Sequence, residues 1–94
     1  MPVTICVLLS AIAGRDDALK RYEDQVLALL GEHDASVIAR LRAADGPFTE
    51  VQVLEFATEE GLASFRTDPR REALSELREA CVASTTVIRV EPVG

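Results

Sequence analysis

The chain has 94 residues, 48% of them hydrophobic, enough for one globular core and too few for two. Its formal net charge of −6 opposes simple attraction to a phosphate backbone, so nucleic acid is not an expected partner. No basic leader precedes the apolar run VTICVLL, and the run falls well short of the ~20 residues that span a bilayer; a soluble, cytoplasmic protein without a membrane partner is expected.

The first element in the chain is that run, residues 3–9, whose β-branched and apolar character suits a central strand. Gly14-Arg15-Asp16-Asp17 then punctuates the chain, and acids there suit a helix N-terminus. From about Asp17 to Leu30, Leu19, Tyr22, Val26, Leu29 and Leu30 recur at helical spacing, and Gly31 reads as the C-terminal cap. Ala35 to Ala43 and Thr49 to Phe56 form two strands around the turn signal Ala44-Asp45-Gly46-Pro47. Thr58 caps a short helix carrying Glu59, Glu60, Leu62 and Phe65, and Asp68-Pro69 opens another that runs to about Cys81. Thr85 to Glu91 is the last strand, ended by Pro92.

This order, βαββαβ, predicts a single α+β domain over residues 1–94: a ferredoxin-like sandwich of four antiparallel strands with two helices on one face. Cys6 and Cys81 each sit in an apolar element and are expected buried and reduced; without a CxxC or Cys/His cluster no metal site is expected.

Strand parity then assigns faces. Pairing Arg40 with Gln52 and Arg42 with Glu50 puts Val37, Ala39, Leu41, Val51 and Val53 on one clean apolar face, the face expected to pack on the helices. Ile38, Arg40, Arg42, Glu50, Gln52, Leu54 and Phe56 take the other, joined by Cys6, Leu8, Val87 and Arg89 from the first and last strands. Such a face on a small domain with 4% aromatic residues predicts a homodimer that packs these faces together, with the arginines ringing a shared lumen.

The segment EFATEEGLASFRTDPRREAL, residues 55–74, resembles the dimeric α+β barrel superfamily, in particular its small bacterial members of unknown function. There a strand ending in Glu-Phe, a short Glu-rich helix and an Asp-Pro helix start recur in this order, matching Glu55, Phe56, Glu59, Glu60, Asp68 and Pro69. The resemblance implies a barrel-forming dimer and a range of activities, among them cofactor-independent oxygenases of phenols, lactone isomerases, polyketide cyclases and haem-degrading enzymes. Relatives often carry an aromatic residue just after the Asp-Pro; Arg70 and Arg71 stand there instead, so that contact does not carry over.

Two residues are candidate catalytic groups. His33, the only histidine, lies beside Asp34, which would orient its imidazole as a general base; a solvated histidine near a helix end is the plainer reading. Tyr22 sits on the apolar stripe of the first helix and serves as a proton donor if its hydroxyl reaches a pocket. Arg40, Arg42 and Arg89, with Glu50, Gln52 and Phe56, are the candidate substrate-binding set, because guanidinium forks bind carboxylates and enolates; a salt-bridge network is the plainer alternative.

Together these point to a homodimeric barrel that takes a small organic acid or phenolic ligand, anionic or enolisable. Binding alone and cofactor-free catalysis of the oxygenase, isomerase or cyclase kind both fit. The alternative is a non-catalytic dimeric module for ligand sensing or assembly, which predicts that Arg40 and Glu50 satisfy one another and leave no enclosed cavity. An RNA-binding reading lacks stacking aromatics and positive charge, and haem degradation is disfavoured by the absence of Trp and the single His.

Overall fold

Val3, Ile5, Val7 and Leu9 alternate as buried residues along one strand, with Thr4, Cys6 and Leu8 only partly covered on its other side. The computed structural model describes residues 1–94 and places this strand, β1 (Val3–Ala11), inside a four-stranded antiparallel sheet. The remaining elements are α1 (Asp16–Leu27), a 3₁₀ turn at Leu30–His33, β2 (Ala35–Arg42), β3 (Glu50–Phe56), α2 (Glu59–Arg66), α3 (Pro69–Glu72), α4 (Ser75–Cys81) and β4 (Val82–Val90). Spatial order in the sheet is β2-β3-β1-β4, so β1 and β3 are central and the two strands that follow a helix lie at the edges.

The helical signals act as expected at the N-termini. Thr58 accepts a hydrogen bond from the Gly61 amide to cap α2, and Asp68 accepts one from the Arg70 amide to cap α3, with Pro69 at the first helical position. The C-terminal expectations need correction. Gly31 does not cap α1; the chain tightens into the 3₁₀ turn and Asp34, at φ 54°, takes the left-handed position that ends it. The helix expected from Pro69 to Cys81 breaks at Ala73-Leu74 into α3 and α4, and β4 starts directly at Val82.

All the helices pack on one face of the sheet, and the molecule is a slab with extents of 39 × 34 × 16 Å, too thin to hold a third layer. The core between the layers contains Leu19, Tyr22, Val26, Leu54, Phe56, Leu62, Phe65 and Cys81, with the buried side of β1. No helix is long and apolar enough to cross a membrane.

The pairing of the hairpin is the expected one, with Arg40 opposite Gln52 and Arg42 opposite Glu50. The direction of the two faces is reversed. Glu50, Gln52, Leu54 and Phe56 point into the helix layer and are buried, whereas Val51 and Val53 lie on the uncovered side. The arginines therefore ring no lumen between sheet faces. A bulge at Val37-Ile38-Ala39 also breaks the parity of β2, so Val37 pairs with Leu54 while Ala39 pairs with Val53. The uncovered face carries Cys6, Leu8, Ala39, Leu41, Val51, Val53 and Ile88, of which Leu41 is 57% and Ile88 48% exposed.

A candidate acid–base cleft between helices and sheet

The apolar stripe of α1 runs Leu19, Tyr22, Val26, and Glu23 stands on the same stripe, four residues after Leu19 and three before Val26. It is driven inward with its neighbours and is 6% exposed. The carboxylate meets β3. Gln52, 1% exposed, donates one amide hydrogen to Glu23 Oε1 at 2.8 Å and the other to Glu50 Oε2 at 2.7 Å. Glu50 in turn accepts from Arg40 Nε at 2.8 Å, and Arg40 reaches Asp24 Oδ1 at 2.5 Å and the Lys20 carbonyl at 3.1 Å.

Arg40 is thus spent on tying the edge strand to α1. Gln52 is a wedge that spaces two carboxylates while satisfying both. Burial pushes the Glu23 pKa up, and Glu50 adds to the rise; the Gln52 hydrogen bond, then Arg71 and Arg40, oppose it. The result is a buried carboxyl of raised pKa beside a second carboxylate held by an arginine.

Glu23 and Gln52 line a cleft of about 70 Å³ whose walls are Ile5, Val7, Val26, Leu54, Leu62 and Phe65. Its polar mouth is Arg71. The guanidinium carbon lies 4.6 Å from the centre of the Phe65 ring, a cation–π distance, and Arg71 Nε is buried without a hydrogen-bond partner. A buried donor left unsatisfied costs about 1–3 kcal/mol, so Arg71 Nε is the group here that gains most from an acceptor. Successive positions in α3 explain the direction: Arg70 turns outward to Asp68 and Glu32, leaving Arg71 on the inner side. Tyr22 borders the same region. Its phenol pKa is raised, by burial first and by Glu23 second, with Arg71 and Arg78 pulling it down.

Of the residues expected from sequence, Gln52 alone lines this cleft and links it to Glu50, which Arg40 holds; Tyr22 lies beside Arg71 in a neighbouring depression. Arg40, Arg42 and Glu50 line a depression of about 190 Å³ near the sheet corner with Asp16, Lys20, Leu41 and Thr49. Phe56 is 0% exposed in the core and reaches no ligand. Arg89 is forked onto Glu59 at 2.6 and 2.7 Å, both side chains more than half exposed, as a surface ion pair.

His33 has another role. Its Nδ1 lies 2.6 Å from Ser64 Oγ and its Nε2 lies 2.7 Å from Asp68 Oδ2, so Asp68 rather than Asp34 orients the ring. The contact order Ser64–His33–Asp68 is that of a hydrolytic triad. Yet the Ser64 hydroxyl donates to the Gly61 carbonyl at 3.0 Å, nearby helix amides are already paired within α2, and neither residue lines the cleft. The three side chains clamp the 3₁₀ turn to α2 and α3.

Sequence reasoning passed over Glu23 and Arg71. Glu23 was visible as the one acid on an apolar helical stripe, and Arg71 as the departure after Asp-Pro.

No family model and no curated protein matches this sequence. Solved structures do. A Pseudomonas aeruginosa protein, PA3566, superposes with a TM-score of 0.79 at 13% identity, covering 99% of this chain and 95% of its own. The fold is ferredoxin-like. A Mesorhizobium loti protein called a dabb family protein with a ferredoxin-like fold gives a TM-score of 0.72 at 17% identity, covering 99% of this chain and 98% of its own. A Bacteroides fragilis protein called dimeric, of unknown function and of ferredoxin-like fold, gives 0.74 at 13% identity, with 96% and 95% covered. Identities this low carry the architecture alone.

Proposed function

We propose that this protein binds a small organic anion in the cleft between its helix layer and its sheet, and moves a proton on that ligand through Glu23. The observation that carries the reading is that Arg71, partly buried with its Nε lacking a hydrogen-bond partner, and Glu23, a buried carboxyl of raised pKa, line one apolar cleft. Enolisation needs a base and positive charge where the oxyanion develops; Glu23, whose pKa burial raises, supplies the first, Arg71 the second, and Phe65 and Leu62 flank them with apolar surface. Gln52 fixes the carboxyl in place, and Tyr22 lines the adjoining depression with Arg71. Each part of that chemistry is supplied by a side chain. In solution the uncovered sheet face closes on a second copy, since Leu41, Ile88, Val51 and Val53 form an apolar surface a soluble monomer would leave wet.

The test is proton exchange. The protein is incubated in deuterium oxide with phenylpyruvate, and loss of the C3 proton signal is followed by NMR. Wild type accelerates exchange, Glu23→Gln loses the acceleration while still binding, and Arg71→Gln binds more weakly. Wild-type acceleration by Glu23→Gln would remove Glu23 from the chemistry. The reading as a non-catalytic ligand-sensing or assembly module draws support from Arg40 and Glu50, which do satisfy one another. It predicts binding that depends on Arg71 and no exchange by any variant.

A further inference from the structure

The cleft is too small to hold more than a compact group, and what adjoins it is unusual for a chain of net charge −6. A depression of about 240 Å³ shares Arg66 and Arg71 with the cleft and is bordered also by Tyr22, Thr67, Asp68, Glu72, Ser75 and Arg78. Its arginines come from three helices: Arg66 from the last turn of α2, Arg71 from α3 and Arg78 from α4, with Tyr22 reaching in from α1. None of the three arginines makes an ion pair, although Arg40, Arg70 and Arg89 all do. The acids at the rim do not compensate them. Asp68 is consumed by His33 and Arg70, leaving only Glu72, which is exposed.

We infer that this depression is a subsite for a doubly charged oxyanion, a phosphate monoester, borne by the ligand whose body enters the cleft; the placement of that body rests on the reading given under Proposed function. Three guanidinium groups without ion pairs around one hollow match a group with several equivalent oxygens and two negative charges better than a single carboxylate. Tyr22 and Ser75 border the hollow as further hydroxyl-bearing residues, while the Thr67 hydroxyl donates to the Ala63 carbonyl. Arg71 belongs to both compartments, so its unpartnered buried Nε stands where the charged head and the apolar body of one molecule would join. The hollow lies in the helix layer, away from the uncovered sheet face, and is complete within one protomer.

The experiment is calorimetric titration of the wild-type protein with phenyl phosphate, benzoate and inorganic phosphate at pH 7.5 and again near pH 5, where a monoester loses one of its charges because its second pKa is about 6. Phenyl phosphate is expected to bind about tenfold or more tightly than benzoate at pH 7.5, with that margin shrinking at pH 5. Arg78→Gln and Arg66→Gln, both at exposed positions where folding is readily verified by circular dichroism, are each expected to weaken phenyl phosphate about tenfold and benzoate little. Inorganic phosphate binding as tightly as phenyl phosphate would show a free-anion site and remove the link to the cleft. Equal affinity for phenyl phosphate and benzoate, or no response to either substitution, overturns the inference. If exchange through Glu23 persists without any preference for the dianion, the function proposed above stands and this subsite falls. Dianion preference without exchange leaves the reverse.

Discussion

Two general rules disagree about alanine at position 61, and the structure decides between them. Replacing a helical glycine by alanine ordinarily stabilises by about 1 kcal/mol. A β-carbon at Gly61, however, falls 2.5 Å from the His33 carbonyl oxygen and 3.3 Å from Thr58 Oγ1. To reach a tolerable contact the His33 backbone must retreat by about half an ångström. It is not free to do so: its side chain is clamped to Ser64 and Asp68, and the next carbonyl, of Asp34, accepts from the Ala57 amide at 2.9 Å. Forced overpacking costs about 1–3 kcal/mol, which exceeds the propensity gain at the start of a helix, so Gly61→Ala is expected to destabilise by about 1–2 kcal/mol. Urea unfolding followed by circular dichroism measures it. A variant as stable as the parent, or more so, would refute the claim that the 3₁₀ turn and α2 are locked against each other.

Other substitutions test the remaining parts. Arg40→Ala leaves Glu50, 8% exposed, without its counter-ion and is expected to cost about 2–4 kcal/mol, whereas Arg89→Ala removes an exposed pair and should cost under ~1 kcal/mol; equal losses in denaturant unfolding would contradict the burial argument. Because the Glu23 pKa is raised in the native state, its contribution is complete below the ordinary value of 4.5 and is lost as pH rises through the native value. The stability of wild type relative to Glu23→Gln should therefore fall as pH increases above 4.5 and then level off; a rise would invert the account. Leu41→Glu, on the uncovered face, is expected to yield a folded monomer by light scattering, whereas Phe56→Glu, at 0% exposure, should not fold; a folded Phe56→Glu would contradict the observed sheet orientation.

The element order and the helix N-termini were legible because they depend on local chemistry: the Thr58 and Asp68 caps, Pro69 at the first helical position, and the alternation of Val3, Ile5, Val7 and Leu9. The hairpin register was also legible, since Arg40 does face Gln52 and Arg42 does face Glu50. Which side turned to the helices was not. The clean stripe of Leu41, Val51 and Val53 looks like a core face by the rule that apolar residues turn inward, yet it lies on the side of the sheet that no helix covers. The mixed stripe goes inward because α1 brings Glu23, Asp24 and the Lys20 carbonyl to meet Gln52 and Arg40, so its polar groups are satisfied on burial. Those partners lie some 16 to 29 residues away in sequence, beyond the reach of parity. The bulge beside Ile38 and the left-handed Asp34 likewise answer to tertiary contacts rather than to the residues themselves. At the candidate site, Gln52 was legible from strand parity because its position in the register was, whereas the His33 ring is occupied by Ser64 and Asp68, partners 31 and 35 residues away.

The central claim is that the ligand cleft lies inside each protomer, between helices and sheet. Backbone NMR of the labelled protein titrated with phenylpyruvate tests it most directly. The account predicts shift changes concentrated at Glu23, Gln52, Leu62, Phe65 and Arg71, retained in Leu41→Glu and lost in Arg71→Gln. Changes concentrated instead at Cys6, Leu8, Val53 and Ile88, and abolished in Leu41→Glu, would place the ligand between protomers and contradict it.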